Sequence, residues 1–208
     1  MSVRICNIQK TYNSKRVLDI ENYHFKENYI YVIRGKNGEG KSTLLNIIAG
    51  IEKPDYGEVL YDFKTDCLRY DISMMLQKPY LFNTTVYENI IMGLKYRKIN
   101  KNEIDKRLKR YCSYFKMGEL MNKNAKKLSG GESQRVALLR SAILESKLML
   151  LDEPTSSMDY ENTLMAEKLI LDMKNKGSTI IMVTHDMSQA KRIGDKIILL
   201  EDGRINYD

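Results

Sequence analysis

Apolar residues fall into two patterns along this chain. Uninterrupted runs occur at Tyr29-Ile30-Tyr31-Val32-Ile33, at Leu148-Met149-Leu150-Leu151 and at Ile180-Ile181-Met182-Val183. Runs without a polar face fit strands covered on both sides, as in the middle of a parallel sheet. Residues 2–9 and 16–26 read as short strands with Asn13-Ser14 in the turn between them. Val59–Tyr61 and Ile72–Leu76 read as two more strands, the second ending at Gln77. Pro54-Asp55-Tyr56-Gly57 is a turn signal. Lys196–Leu200 and Arg204-Ile205 close the chain around a turn at Glu201-Asp202-Gly203. Helical spacing governs Leu44–Ala49, stopped by Gly50, and the amphipathic stretch Ser133–Leu144. It returns from Asp159, a natural cap, to about Asn175, and again at 187–193. Between Thr84 and Lys127 the β-branched runs thin out. Ile104, Leu108, Tyr111, Cys112 and Phe115 recur at helical spacing, and Thr85-Val86-Tyr87-Glu88 fits a capping box. That stretch predicts about forty residues of inserted helix.

One stretch carries recognisable chemistry. Gly35-Lys36-Asn37-Gly38-Glu39-Gly40-Lys41-Ser42-Thr43 lies between a predicted buried strand and a predicted helix, the context a phosphate-binding loop requires. Its glycines let successive backbone N–H groups curl inward, and the helix start adds unpaired donors and a positive dipole end. Lys41 would bring a full charge to the β- and γ-phosphates, and Ser42 a hydroxyl to Mg²⁺. The expected fold class is therefore α/β. It comprises a P-loop NTPase core of mostly parallel sheet with helices, an N-terminal antiparallel β part, and an α-helical lobe at about 84–127, all in one domain over residues 1–208.

Further candidates cluster at strand ends and helix starts. Asp152 and Glu153 end an apolar strand, where α/β sheets bind ligands. Asp152 can hold Mg²⁺ through its water shell and Glu153 can take a proton from an attacking water. His185 also stands at a strand's carboxyl end. Leu128-Ser129-Gly130-Gly131-Glu132 opens a helix, so it is either a second anion site or an ordinary cap. Tyr12 is, on pattern alone, a packing residue, and His24, in the early strand pair, is assigned no role.

Composition changes this little. Net charge is +7, but Lys and Arg are scattered, which argues against a nucleic-acid surface. The densest basic stretch, Lys95 to Arg110, interleaves Glu103 and Asp105 and reads as a solvated helix face. Cys6, Cys67 and Cys112 fit neither a disulfide set nor a zinc site and indicate a reducing compartment. No signal peptide and no run of membrane-spanning length is visible. These features predict a soluble, cytoplasmic protein.

Taken in order, these motifs resemble the nucleotide-binding subunit of ATP-binding-cassette (ABC) transporters, over nearly the whole chain. They are Gly35–Thr43, Gln77, Leu128–Glu132 with Gln134, Leu148–Pro154, Ser156–Asp159 and His185. The resemblance implies an ATPase with Mg²⁺. Tyr12 would stack on adenine, and Lys41, Ser42 and the loop backbone would hold the phosphates. Ser42 and Gln77 would touch Mg²⁺, with Asp152 behind it. Glu153 would be the general base and His185 would contact the γ-phosphate. Ser129, Gly130 and Gly131 would reach nucleotide bound by the opposite subunit of a head-to-tail pair. The helical lobe would dock on an integral membrane permease, with Gln77 at the hinge, at the inner face of the cell membrane. Ser157-Met158 departs from the family's usual Ala-Leu. Glu39 puts an acid in the loop, tolerable if its side chain points out. Gln77–Val86 is most similar to tungstate/molybdate-type oxyanion importers, which work with an extracellular binding protein; polar amino-acid importers come second. No C-terminal extension of the kind some molybdate and sugar importers carry is seen. The alternatives are an exporter ATPase or a non-transport ABC ATPase, such as a membrane-docked cell-division regulator.

Overall fold

A computed structural model describes residues 1–62 and 68–207, so Cys67 lies outside the described residues. Its centre is a six-stranded sheet in the order β5-β6-β7-β3-β8-β9. These strands are β3 (Ile30–Arg34), β5 (Ile72–Met75), β6 (Leu148–Asp152), β7 (Thr179–Val183), β8 (Lys196–Glu201) and β9 (Arg204–Tyr207). All pairings are parallel except that of β9 on β8. The apolar runs behave as their pattern predicts. Ile30, Val32, Met149, Leu151, Ile180 and Met182 enter one core cluster, on the face covered by helices. Tyr31, Ile33, Leu148, Leu150, Ile181 and Val183 enter the other. Alternate side chains of one strand thus serve two cores, which is why polar residues in these strands are confined to their ends, as at Arg34, Asp152 and Thr179.

The second core lies beneath α1 (Lys41–Ile48) and an antiparallel sheet of β1 (Val3–Tyr12), β2 (Lys15–Phe25) and β4 (Tyr56–Tyr61), in the order β2-β1-β4. Asn13 and Ser14 both adopt positive φ, 47° and 64°, forming the tight two-residue loop that suits hairpin twist. β1 slips register against β4 between Cys6 and Gln9, where Asn7 takes φ 52°. That bulge explains Gly57. At φ 87°, a Cβ on Gly57 would sit 2.2 Å from the Asn7 carbonyl oxygen. The turn signal at Pro54–Gly57 therefore runs directly into β4, which starts at Tyr56 and not at Val59.

The first core is roofed by α5 (Gly130–Ala142), α6 (Tyr160–Asn175) and α7 (Met187–Ile193). The predicted helical insert is less helical than its apolar spacing implied. It contains α3 (Val86–Tyr96), α4 (Lys101–Cys112) and two single 3₁₀ turns, 118–120 and 125–127; the short α2 (Leu68–Asp71), unforeseen, precedes β5. Lys98 at φ 55° breaks the first two helices apart, and Asn100 caps α4 by accepting from the Glu103 N–H. Thr85 caps α3 as expected, but Glu88 ion-pairs with Lys95 at 2.7 Å. Val86, Ile90, Leu94, Ile104, Leu108 and the fully buried Tyr111 join the same core as α5. Arg97 and Arg107 donate to the Leu144 and Ile143 carbonyls beyond the last turn of α5, tying the insert to it. Among the described residues no helix is long and apolar enough to cross a membrane.

Replacing Gly57 with alanine should lower the unfolding free energy by about 3 kcal/mol, through strained φ and the clash with Asn7. The denaturant midpoint measures this, and an unchanged midpoint would mean that the bulge relaxes without cost.

Candidate functional site

Gly35 to Thr43 leave the end of β3 and enter α1, which begins at Lys41 itself. The loop is fixed before any ligand is considered. Gly35, at φ 154°, passes so close to β8 that a Cβ would lie 2.2 Å from the Leu200 carbonyl oxygen. Lys41 is buried, and its Nζ donates to the carbonyls of Gly35 (2.8 Å) and Lys36 (2.7 Å). Burial lowers its pKa, while the nearby Glu153, Asp152 and Glu39 charges act the other way. The Glu39 side chain points away from the loop interior, and its carboxylate accepts the Asp202 N–H of the β8–β9 turn at 2.6 Å.

A cavity of about 410 Å³ opens over the loop. Asn37, Gly38, Gly40, Lys41, Ser42 and Thr43 form its floor. Tyr12 at the end of β1, Gln77 just beyond β5, Asp152, Glu153 and His185 form its walls. Gly35, Lys36 and Glu39 border a separate recess with Arg34 and Leu200. Tyr12 is half exposed, its hydroxyl bonded to Glu52 and its ring 5.4 Å from the Lys10 ammonium. Ser42, Gln77 and Asp152 bring a hydroxyl, an amide and a carboxylate to one space. Among the described residues no three Asp, Glu, His or Cys side chains form a cluster able to hold a metal.

Glu153 is the most constrained of these groups. Strand β6 ends at Asp152, and Glu153 turns the chain at φ 49°, a region costly for a side-chain-bearing residue. Its N–H donates to the Val183 carbonyl at 3.0 Å, and Gln134 grips the turn that follows. Gln134, buried in α5, donates to Ser156 Oγ (2.7 Å) and accepts the Ser157 N–H (2.8 Å). The Glu153 carboxyl is pushed up to about 7, first by burial and also by Asp152; the His185 backbone N–H and Lys41 oppose this. Its Oε1 has no hydrogen-bond partner among the described residues, although His185 Nε2 lies 3.3 Å away. Burial, then the Lys41 and Arg34 charges, hold the His185 pKa below its ordinary value.

The sequence pattern that defines the ABC transporter family matches residues 18–156. The chain belongs to this family. It is 43% identical over 209 residues to the tungstate uptake system ATP-binding protein TupC of Peptoclostridium acidaminophilum, covering 99% of this chain and 97% of that one. It is 36% identical over 211 residues to the sulfate/thiosulfate import ATP-binding protein CysA of Mesostigma viride, covering 99% of this chain and 61% of the relative. A dimeric bacterial ABC transporter cassette superposes with a TM-score of 0.88 at 30% identity, over 98% of this chain and 96% of that one. As an ABC cassette the protein binds ATP and hydrolyses it.

Within this cassette, Ser129, Gly130 and Gly131 do not line the cavity that holds Lys41. Ser129 caps α5 and forms a complete capping box with Glu132, which the Ser-x-x-Glu spacing could have signalled. Gly131 lies against the turn after Glu153; a Cβ there would be 2.7 Å from the Ser157 carbonyl oxygen. That contact, and the Gln134 clamp, are long-range features that motif spacing does not reveal.

Two outcomes follow from the cavity. Lys41→Ala should weaken ATP binding by roughly 2 kcal/mol in equilibrium titration; unchanged affinity would remove Lys41 from the binding contacts. Glu153→Gln should bind ATP normally and lose at least about a hundredfold in turnover. Because the folded carboxyl titrates near 7 against an ordinary 4.5, its ionised form opposes folding. The Gln variant should therefore gain thermal stability above pH 7, with the gain fading as pH falls towards 4.5. Full residual turnover would sink the assignment of Glu153 as base.

Proposed function

We propose that this protein is the ATP-hydrolysing subunit of an oxyanion importer, with tungstate as the first candidate cargo. The near full-length identity to a tungstate uptake ATP-binding protein carries the reading, and the likeness to a sulfate/thiosulfate import protein supports the same cargo class. The whole chain acts as one ATPase domain. Glu153, with a pKa near working pH, accepts the proton of the attacking water. Lys41 and the loop N–H groups neutralise the phosphates, and the neutral His185 ring contacts the γ-phosphate. Tyr12 stacks on the adenine. Mg²⁺ would be held by Ser42 and Gln77, with Asp152 behind, and would screen phosphate charge; these are the hard oxygen donors such an ion takes. Most of the rate acceleration then comes from positioning and electrostatics.

Because the Ser129–Gly131 helix start is absent from the chain's own ATP cavity, two copies meeting head to tail complete each other's sites. Docking on a membrane-spanning partner, at the inner face of the membrane, is assigned to the helical insert. Support comes from an apolar groove lined by Met74, Tyr80, Phe82, Met92 and Tyr96, in which Arg140 makes no hydrogen bond or ion pair among the described residues. A partner segment with apolar side chains and one carboxylate fits that chemistry. An extracellular binding protein would deliver the cargo.

The test is to isolate the protein from its native membrane with its partners and measure tungstate uptake in cells lacking it. A permease and a tungstate-binding protein, with uptake lost and restored by the intact gene, are expected. A permease without a binding protein would point to export or to a mechanical task and overturn the import reading. Normal tungstate uptake without the protein would overturn the cargo.

A further inference from the structure

Glu153 and His185 approach to 3.3 Å without a hydrogen bond between their side chains. Beyond the bond from the His185 backbone N–H to the Glu153 carboxylate, their spacing is set by the segments that carry them: the turn 153–157 after β6, and the link from β7 into α7. A polar network centred on the buried Gln189 and Glu167 joins these segments and takes no part in the roles assigned above. Gln189 on α7 is fully buried, and its Nε2 donates to Thr155 Oγ1 (3.0 Å) and to Glu167 Oε1 (3.2 Å). Glu167, buried on α6, is held by Arg192 through Nε–Oε2 (3.0 Å) and Nη2–Oε1 (2.6 Å). Asp186, next to His185, caps α7 by accepting the Ser188 and Gln189 N–H groups, and lies 4.0 Å from Arg192.

Stability alone does not account for this arrangement. A buried carboxylate and amide gain little over apolar packing of the same volume, because both must first leave water, and the Arg192 partner of Glu167 stays a third exposed. What a fully satisfied network does provide is a single geometry. The Arg192 fork fixes the Glu167 carboxylate. That carboxylate accepts only, so it turns the Gln189 amide with Nε2 towards it and towards Thr155. Thr155 follows Glu153-Pro154 directly, and Gln134 holds the other side of the same turn from α5. The strained Glu153 backbone is thus gripped from two helices, and one of them begins beside His185.

We propose that Gln189 is a positioning residue for ATP hydrolysis, locking the turn that carries Glu153 to the helix that follows His185, with Glu167 and Arg192 orienting its amide. The proposal rests on the reading of Glu153 as base. Its test compares Thr155→Val, which removes the hydroxyl at constant shape, with Thr155→Ser, which retains it, and with Gln189→Leu. Steady-state kcat and KM for ATP, ATP affinity and thermal midpoint are measured for each, alongside Glu153→Gln. Thr155→Val and Gln189→Leu are expected to lower kcat about tenfold with KM and affinity within about twofold of the parent, and Thr155→Ser to stay within about twofold throughout. If Gln189→Leu does not fold, the threonine pair alone decides. A parental kcat in Thr155→Val, or equal losses in Thr155→Val and Thr155→Ser, would overturn the proposal. So would a loss that merely follows the folded fraction. Full turnover in Glu153→Gln would instead overturn the base assignment, so the two failures are distinguishable.

Discussion

A buried lysine ammonium must find oxygen partners, and Lys41 finds them in its own loop. The carbonyls of Gly35 and Lys36 take its Nζ, so the loop curls around the charge. Everything near the site is arranged about that curl. Gly35 lacks a side chain because the curl passes against the Leu200 carbonyl. The same β8 pairs with β3 on one edge while β7 pairs on the other. The carboxylates at the end of β6 lie close enough for Lys41 to pull down the Glu153 pKa, without cancelling the opposing effect of burial. The balance leaves a carboxyl near neutrality, where a group can both lose and accept a proton.

The second constraint is geometric. Glu153 stands at φ 49°, a backbone state that persists only when the surroundings over-determine it. Val183 holds its N–H, Gln134 the far side of the turn, and Gln189 the Thr155 hydroxyl. Each contact arrives from a different element: β7, α5 and α7. Because α5 also bears Ser129 at its start, that helix start is joined to the Glu153 turn twice, by the Gly131 contact with Ser157 and by the buried Gln134.

Much of this was legible in the sequence, for identifiable reasons. β3, β6 and β7 announce themselves because both faces are covered, leaving no polar interruption. The loop is legible because glycine spacing, Lys41 and Ser42 are local requirements. The bulge at Asn7 was not legible, since its partner Gly57 lies far along the chain. The insert was over-read as helix because apolar spacing persists through Phe115 and Leu120, although the backbone there has already turned irregular. Gln134 was visible as part of a motif but not as a clamp, and Gln189 drew no attention because a buried amide is defined by partners on other elements. Ser129 was read as either cap or anion site, and the structure shows the cap.

The Glu39 carboxylate holds the Asp202 N–H across 163 positions of sequence, and this has an entropic meaning. A glycine-rich loop is the most mobile kind of backbone when free, and ordering it at the moment of ligand capture would weaken affinity. Here the loop is moored twice, inwardly through Lys41 and outwardly through Glu39 to the hairpin near the carboxyl end of the chain. Most of its freedom is surrendered during folding, before any nucleotide arrives. An acid in a phosphate-binding loop, which a charge count would mark as a defect, thereby becomes a device for preorganisation.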